Sequence, residues 1–328
     1  MSTSEKPIIY ITDYVAEPNV ERRLPASFGY DLRAGTLSTE EHKKVIGLLV
    51  WHEHINADYL RDFPNVKAVV RYGVGYDMVD LELLREKGIA FANTPDYGTD
   101  EVADTAVAML LCGARGITQY QTIVTQLTDG SWQENTLPHL VRTKEMRLGV
   151  VGLGRIGSSV ALKCRAIGFQ VGFYDPNLPS GVEKSLSLTR YNTLGELLEV
   201  SNAVTLHTPL NTQTAGMVDR DFLSAMPDGS ILVNTARGGL LEDFGLIHMA
   251  LDEGKLSFAG LDVIPDEPVS PSHKHYAPMI AHMASGRLVI NPHSAYFSQQ
   301  AYVEMRELAT GNLCRFLDGN SSLVNRIC

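Results

Sequence analysis

One stretch, RLGVVGLGRIGSSVALKCRAIGFQVGFYD (residues 147–175), constrains this chain more than any other. An apolar run ends in Gly152, Gly154 and Gly157 at GxGxxG spacing, and a helix-like segment opens on them. A second apolar run closes on Asp175, 18 residues after the third glycine. Strand, glycine turn, helix, strand and acid in this order make a βαβ unit suited to a dinucleotide. Gly152 permits the tight turn, Gly154 lets the backbone approach a pyrophosphate, and Gly157 packs helix against strand. The amides of Arg155 and Ile156, at the helix N-terminus, face the phosphates. Asp175 can accept hydrogen bonds from the adenosine ribose hydroxyls and would repel a 2′-phosphate. The PNLPSG that follows offers no arginine to compensate, so NAD is expected rather than NADP.

Around this unit the pattern repeats. RLGVV (147–151), QVGFY (170–174), AVTLH (203–207), SILVN (230–234), SFAGL (257–261) and RLVIN (287–291) predict six strands alternating with helices, a doubly wound α/β array. Earlier, PIIYIT (7–12), IGLLVW (46–51), KAVVR (67–71) and IAFA (89–92) are continuous apolar runs, the signature of a parallel sheet buried on both faces. A chain of 328 residues exceeds what one core usually supports, and 44% apolar content fills two. The long helix TDEVADTAVAMLLCGAR (99–115) carries the chain into the second domain, and SQQAYVEMRELATGNLCRFLDG carries it back. The expected domains are therefore 1–101 with 299–328, and 102–298, separated by a cleft. Residues 121–146 have no obvious place in either sheet, and a dimerisation arm is expected there, hence a homodimer.

The net charge of −10 comes from interspersed acids and bases, which argues against a polyanion-binding surface and against nucleic acid as a direct partner. Four cysteines form no CxxC and follow no signal-like leader, as in a reducing cytoplasm. No apolar run approaches the ~18 to 20 residues that span a bilayer, so no membrane association is expected. His52 and His54 in WHEHI alternate as on one face of a strand, and His273 and His275 repeat the spacing. Neither pair has a third and fourth ligand at recognisable spacing, so no metal is expected and His52 is read as facing the cleft.

In an open α/β sheet the ligand lies beyond the carboxyl ends of the strands. His207, Thr208 and Pro209 end one strand, Asn234, Thr235, Ala236 and Arg237 another, Asp262 a third, and His293 in INPHSAYFS follows the last. Imidazole exchanges a proton near neutrality, and a guanidinium grips a carboxylate with paired hydrogen bonds. His293 and Arg237, with Glu267 of LDVIPDEP, are candidates for an acid–base reaction on an anionic substrate.

The order VGLGRIG, FYDP, LHTPLN, NTARGGLLED, AGLDVIPDEP and NPHSAYFS resembles the D-isomer-specific 2-hydroxyacid dehydrogenases over nearly the whole chain. VWHEHI, VRYGVGYDMVD, YDPNLPSGVEKSL and HSAYFS are most similar to the branch of the carboxyl-terminal binding proteins, NAD-dependent corepressors. The resemblance implies a Rossmann cofactor domain inserted in a flavodoxin-like substrate domain. It also implies hydride transfer between NAD(H) and C2 of a small 2-hydroxy or 2-keto acid, with D stereochemistry. Arg237, Glu267 and His293 map onto the family's catalytic positions: His293 as acid/base, Glu267 stabilising its charged form and fixing the ring, Arg237 on the substrate carboxylate. The amides of Val74 and Gly75 join Arg237 there, and Asp262 holds the nicotinamide carboxamide.

Two positions depart from the pattern. Ala106 stands where the family often has a hydroxyl, which leaves one cofactor contact either missing or supplied by Thr105, and Tyr296 stands where the corepressors have Trp beside the substrate pocket. The resemblance leaves a second function open: an NAD(H)-sensing dimeric scaffold that docks peptides. The corepressors carry a long flexible tail, whereas this sequence ends about one helix after the strand array, which favours the enzyme.

Overall fold

The computed structural model describes residues 6–13, 15, 18–128, 132, 136–319 and 322–328. The chain forms two compact units, Met1–Gly98 with Phe297–Cys328, and Thr99–Tyr296. Each is an α/β unit on a parallel sheet.

In the first unit the strands are β1 (Ile8–Ile11), β2 (Asp31–Ala34), β3 (Val45–Val50), β4 (Ala68–Arg71) and β5 (Ala90–Ala92), in the order β2-β1-β3-β4-β5. All pair in parallel, and this is the flavodoxin-like order. β3, β4 and β5 are almost wholly buried, which is why they read as unbroken apolar runs. β2 did not stand out in sequence because DLRA is a half-exposed edge strand without an apolar run. The helix Gln299–Leu317 packs on this sheet: a Cβ on Gly47 would lie 2.9 Å from Leu317 Cδ1. Its Arg306 makes a bidentate, buried pair with Glu21 at 2.5 and 2.6 Å, and Tyr72 donates to the same carboxylate at 3.2 Å. A buried pair of this kind is strongly destabilising to break, because the survivor stays charged without its partner.

The second unit carries seven parallel strands: β6 (Arg147–Val151), β7 (Gln170–Tyr174), β8 (Thr189–Arg190), β9 (Ala203–Leu206), β10 (Ser230–Asn234), β11 (Leu256–Leu261) and β12 (Leu288–Ile290). Their order, β12-β11-β10-β9-β6-β7-β8, is that of the Rossmann fold with one more strand at the end. The six expected strands are all present. The seventh, β8, is two residues long and carries no apolar signal. The helix Thr99–Arg115 buries Ala103, Ala106, Met109 and Leu110 in the core. Close approach to the sheet is set by glycine, since a Cβ on Gly113 would meet Phe258 Cδ1 at 2.7 Å.

Two expectations need correction or delimitation. His52 and His54 do not lie on a strand: β3 ends at Val50. Asp13 takes the amides of Trp51 and His52, each at 2.8 Å, and so draws this segment out of the ladder. Of the expected dimerisation arm, residues 121–125 belong to the helix Ile117–Thr125, and residues 129–131 and 133–135 lie outside the described residues.

Candidate active site

The sheet of the second unit reverses direction of winding between β6 and β9, and in doubly wound folds a ligand lies at that point, beyond the strand ends. The turn after β6 and the end of β9 are locked together there. His207 donates its amide to Val151 O at 2.8 Å, and a Cβ on Gly152, which has φ +87°, would strike the His207 carbonyl group at 2.9 Å. On Gly157 it would fall 2.1 Å from Gly152 O. Only glycine fits at either place. On Gly154, by contrast, it would meet nothing within 4 Å. Gly154 caps the helix Arg155–Ile167 without a side-chain hydrogen bond, and the first amides of that helix, Arg155 and Ile156 among them, form a cradle suited to a pyrophosphate. His207 bonds Thr205 Oγ1 through Nε2 at 2.9 Å, and burial pushes its pKa down to about 3, so it sits behind the cradle as a neutral ring.

Asp175 follows β7. Its carboxylate accepts from the amides of Leu153 and Asn177, both at 2.9 Å, which fixes it beside the glycine turn. The cradle and the acid together fit a dinucleotide.

The β10 end is shaped by Asn234, which is fully buried. It accepts from the Ala236 amide at 3.0 Å and donates to Arg237 O at 2.8 Å, closing the turn Thr235–Ala236 that delivers Arg237. Gly238 lets this turn approach the next strand end: a Cβ would lie 2.1 Å from Ile264 O. Asp262 does the corresponding work for His293. Its backbone accepts from the His293 amide at 2.9 Å, and its Oδ1 accepts from Ser294 and Ala295, each at 2.9 Å. Burial raises the Asp262 pKa, opposed by those two amides and by the charge of His293. The His293 ring meets Glu267 Oε1 through Nδ1 at 2.8 Å. A proton shared there leaves Nε2 as the nitrogen for chemistry. Thr105 reaches Ala295 O at 3.4 Å, so its hydroxyl braces the segment after His293.

In the first unit, His52 stacks on Trp51 (4.9 Å between centroids) and lies 3.4 Å from Asp13 Oδ1. Val74 is exposed, and Asn93 fixes its carbonyl at 2.7 Å. Among the described residues no group of three or more His, Cys, Asp or Glu could hold a metal ion.

Residues 107–295 match the family model described as D-isomer specific 2-hydroxyacid dehydrogenase, NAD binding domain. The chain belongs to this family. The dehydrogenase is 34% identical over 277 residues to a glyoxylate reductase of Korarchaeum cryptofilum, covering 83% of this chain and 80% of that one. It is similar to a D-lactate dehydrogenase of Aquifex aeolicus solved with NAD and lactic acid, at a TM-score of 0.85, 26% identity and coverage of 95% and 96%. It is also similar to an NADPH-dependent glyoxylate/hydroxypyruvate reductase of Sinorhizobium meliloti solved with NADP and malonate, at 0.83, 27%, 99% and 97%. The enzyme is thus an oxidoreductase of 2-hydroxy acids with an NAD-binding Rossmann domain.

Sequence reasoning missed Asn234 as the organiser of the Arg237 turn, although an Asn closing an apolar strand ahead of Thr-Ala-Arg was the available signal. It also missed Arg190. The absence of an arginine in PNLPSG holds for that segment alone, because β8 brings Arg190 onto the loop that follows Asp175.

Proposed function

We propose that this dehydrogenase reduces a small 2-keto acid with NADH, using His293 as the acid, Glu267 as its orienting partner and Arg237 as the ligand of the substrate carboxylate. The observation that carries the reading is the 2.8 Å contact between His293 Nδ1 and Glu267, in the loops that follow β12 and β11, at the same carboxyl-end edge of the sheet as the dinucleotide cradle. The nicotinamide, when bound, supplies the hydride to C2. The chain's part is to hold the carboxylate through the paired donors of Arg237 and to give a proton from His293 Nε2 to the oxygen that becomes the hydroxyl. Glu267 keeps the imidazole in the tautomer that this needs. Val74, Gly75, His52 and Tyr296 stay in the proposal as substrate contacts. Thr208, Pro209, Thr235 and Ala236 stay in it as cofactor contacts, and Asp262 as the support of the His293 turn and a partner of the carboxamide. D stereochemistry follows from the family.

The substrate proposed is a two- or three-carbon keto acid, the size that the names of the similar proteins share. NAD is proposed over NADP because of the Asp175 carboxylate, even though one similar enzyme uses NADPH. A homodimer in the cytoplasm, engaging neither nucleic acid nor membrane, completes the reading; no described helix is long and apolar enough to cross a membrane. Light scattering should return twice the chain mass, and a monomer at micromolar concentration would remove the dimer.

NADH oxidation followed by absorbance against glyoxylate, pyruvate, hydroxypyruvate, phenylpyruvate and 4-methylthio-2-oxobutyrate tests the function. The highest kcat/KM is expected with glyoxylate or hydroxypyruvate. Tight NADH binding without turnover of any of them would overturn the reading and leave the corepressor-like scaffold in its place.

A further inference from the structure

Arg190 stands opposite Phe173 in the register of β7 and β8, with its guanidinium 5.8 Å from that ring's centroid. Nη2 donates to Asp175 O at 3.1 Å and Leu178 O at 2.8 Å, and Nη1 donates to Pro179 O at 3.0 Å. Glu183 lies 3.7 Å from Nη1 and is itself held by the Gly181 amide at 3.0 and 3.1 Å. One cation therefore gathers three carbonyls of a five-residue loop and has a carboxylate on its flank. A planar fork donates from two nitrogens set apart on a rigid frame, whereas an ammonium's donors all radiate from one atom at the end of a flexible stem.

We propose that Arg190 is a positioning residue that sets the cofactor preference of this enzyme, by fixing the loop 175–179 so that the Asp175 carboxylate meets the adenosine ribose. The proposal rests on the reading of Asp175 as the ribose acceptor. The carboxylate keeps its aim through the Leu153 and Asn177 amides, and Asn177 lies inside the segment that Arg190 pins. Release of the carbonyls lets Asn177 move and the carboxylate swing, which removes both its hydrogen bonds to the ribose and its repulsion of a 2′-phosphate. Arg190 also explains why a cation so near Asp175 need not attract that phosphate: its donors point to the carbonyls, and Glu183 offsets its charge.

Fluorescence titration of the purified enzyme with NADH and with NADPH tests this without recourse to turnover. Arg190→Met keeps the aliphatic stem on Phe173 and is expected to weaken NADH binding about tenfold, the worth of one hydrogen bond. NADPH affinity should stay within about twofold or improve, so that the ratio of the two constants collapses by a similar factor. Arg190→Lys should behave like Arg190→Met, and serves if the Met variant melts early. On an Asp175→Ala background Arg190→Met should cost nothing more, since the two residues act as one unit. Parallel loss of both cofactors, an unchanged ratio, or full additivity with Asp175→Ala would each overturn the proposal. A wild type that binds NADPH as tightly as NADH would sink the Asp175 reading and the proposal with it, whereas a wild type that prefers NADH with an unmoved Arg190→Met ratio sinks the proposal alone.

Discussion

Replacement of His293 by Asn lowers kcat/KM for 2-keto acid reduction by about a hundred- to ten-thousand-fold, the contribution of a placed general acid. Asn is the right substitution because the local backbone does not depend on the imidazole. His293 has φ +54°, a left-handed conformation that Asn tolerates better than other non-glycine residues. The turn is held instead by Asp262, through the His293, Ser294 and Ala295 amides. The variant should therefore fold and bind NADH with unchanged affinity while losing turnover. A loss of less than tenfold, or a parallel loss of NADH binding, would show that His293 is not the acid.

The part of this arrangement legible in sequence is the part written in contiguous residues. Buried parallel strands announce themselves as apolar runs, and β1, β3 to β7 and β9 to β12 did so, because most of their side chains are at least partly covered. β2 and β8 lie at sheet edges, where DLRA and TR serve pairing rather than burial, and nothing in composition marks them. GxGxxG followed by a strand-end acid was readable because a turn, a helix and a strand must occur there at fixed spacing. Arg190 was not, since its nearness to Asp175 is created by the β7–β8 register. His52 and His54 show the opposite failure. Their alternation looks like a strand, but the Asp13 carboxylate, some forty residues earlier, takes the amides that a strand would have needed.

The enzyme is expected to lose stability steeply between about pH 6.5 and about pH 4, and a buried histidine accounts for much of the loss. His248, on the helix Phe244–Asp252, is 6% exposed, and its two ring nitrogens are buried without a hydrogen-bond partner. Its ring lies parallel to that of His282 at 5.3 Å and is 5.6 Å from His275 and 4.5 Å from Phe244. Burial, then the neighbouring His282 and His275, push its pKa down to about 4, against the pull of Asp252 and Asp243. His282 faces Asp252 at 3.7 Å and the charge of Arg287. His275 faces Asp243 at 3.3 Å, with Lys274, His273 and Asp266 around it. Burial lowers both of these pKa values too.

The sign follows from proton counting. Above about pH 6.5 both the folded and the unfolded His248 are neutral and stability does not respond. Between about 6.5 and 4 only the unfolded chain binds the proton, so stability falls as pH falls, by about 3 kcal/mol from His248 alone. Urea unfolding of the wild type and of His248→Leu at a series of pH values isolates the part of the fall that belongs to this residue. The variant should show a shallower fall in this window but retain part of it, because His207 is depressed to about 3 and still titrates. Equal slopes for the two proteins would mean that His248 takes up its proton in the folded state at its ordinary pKa, with Asp252 and Asp243 outweighing its burial.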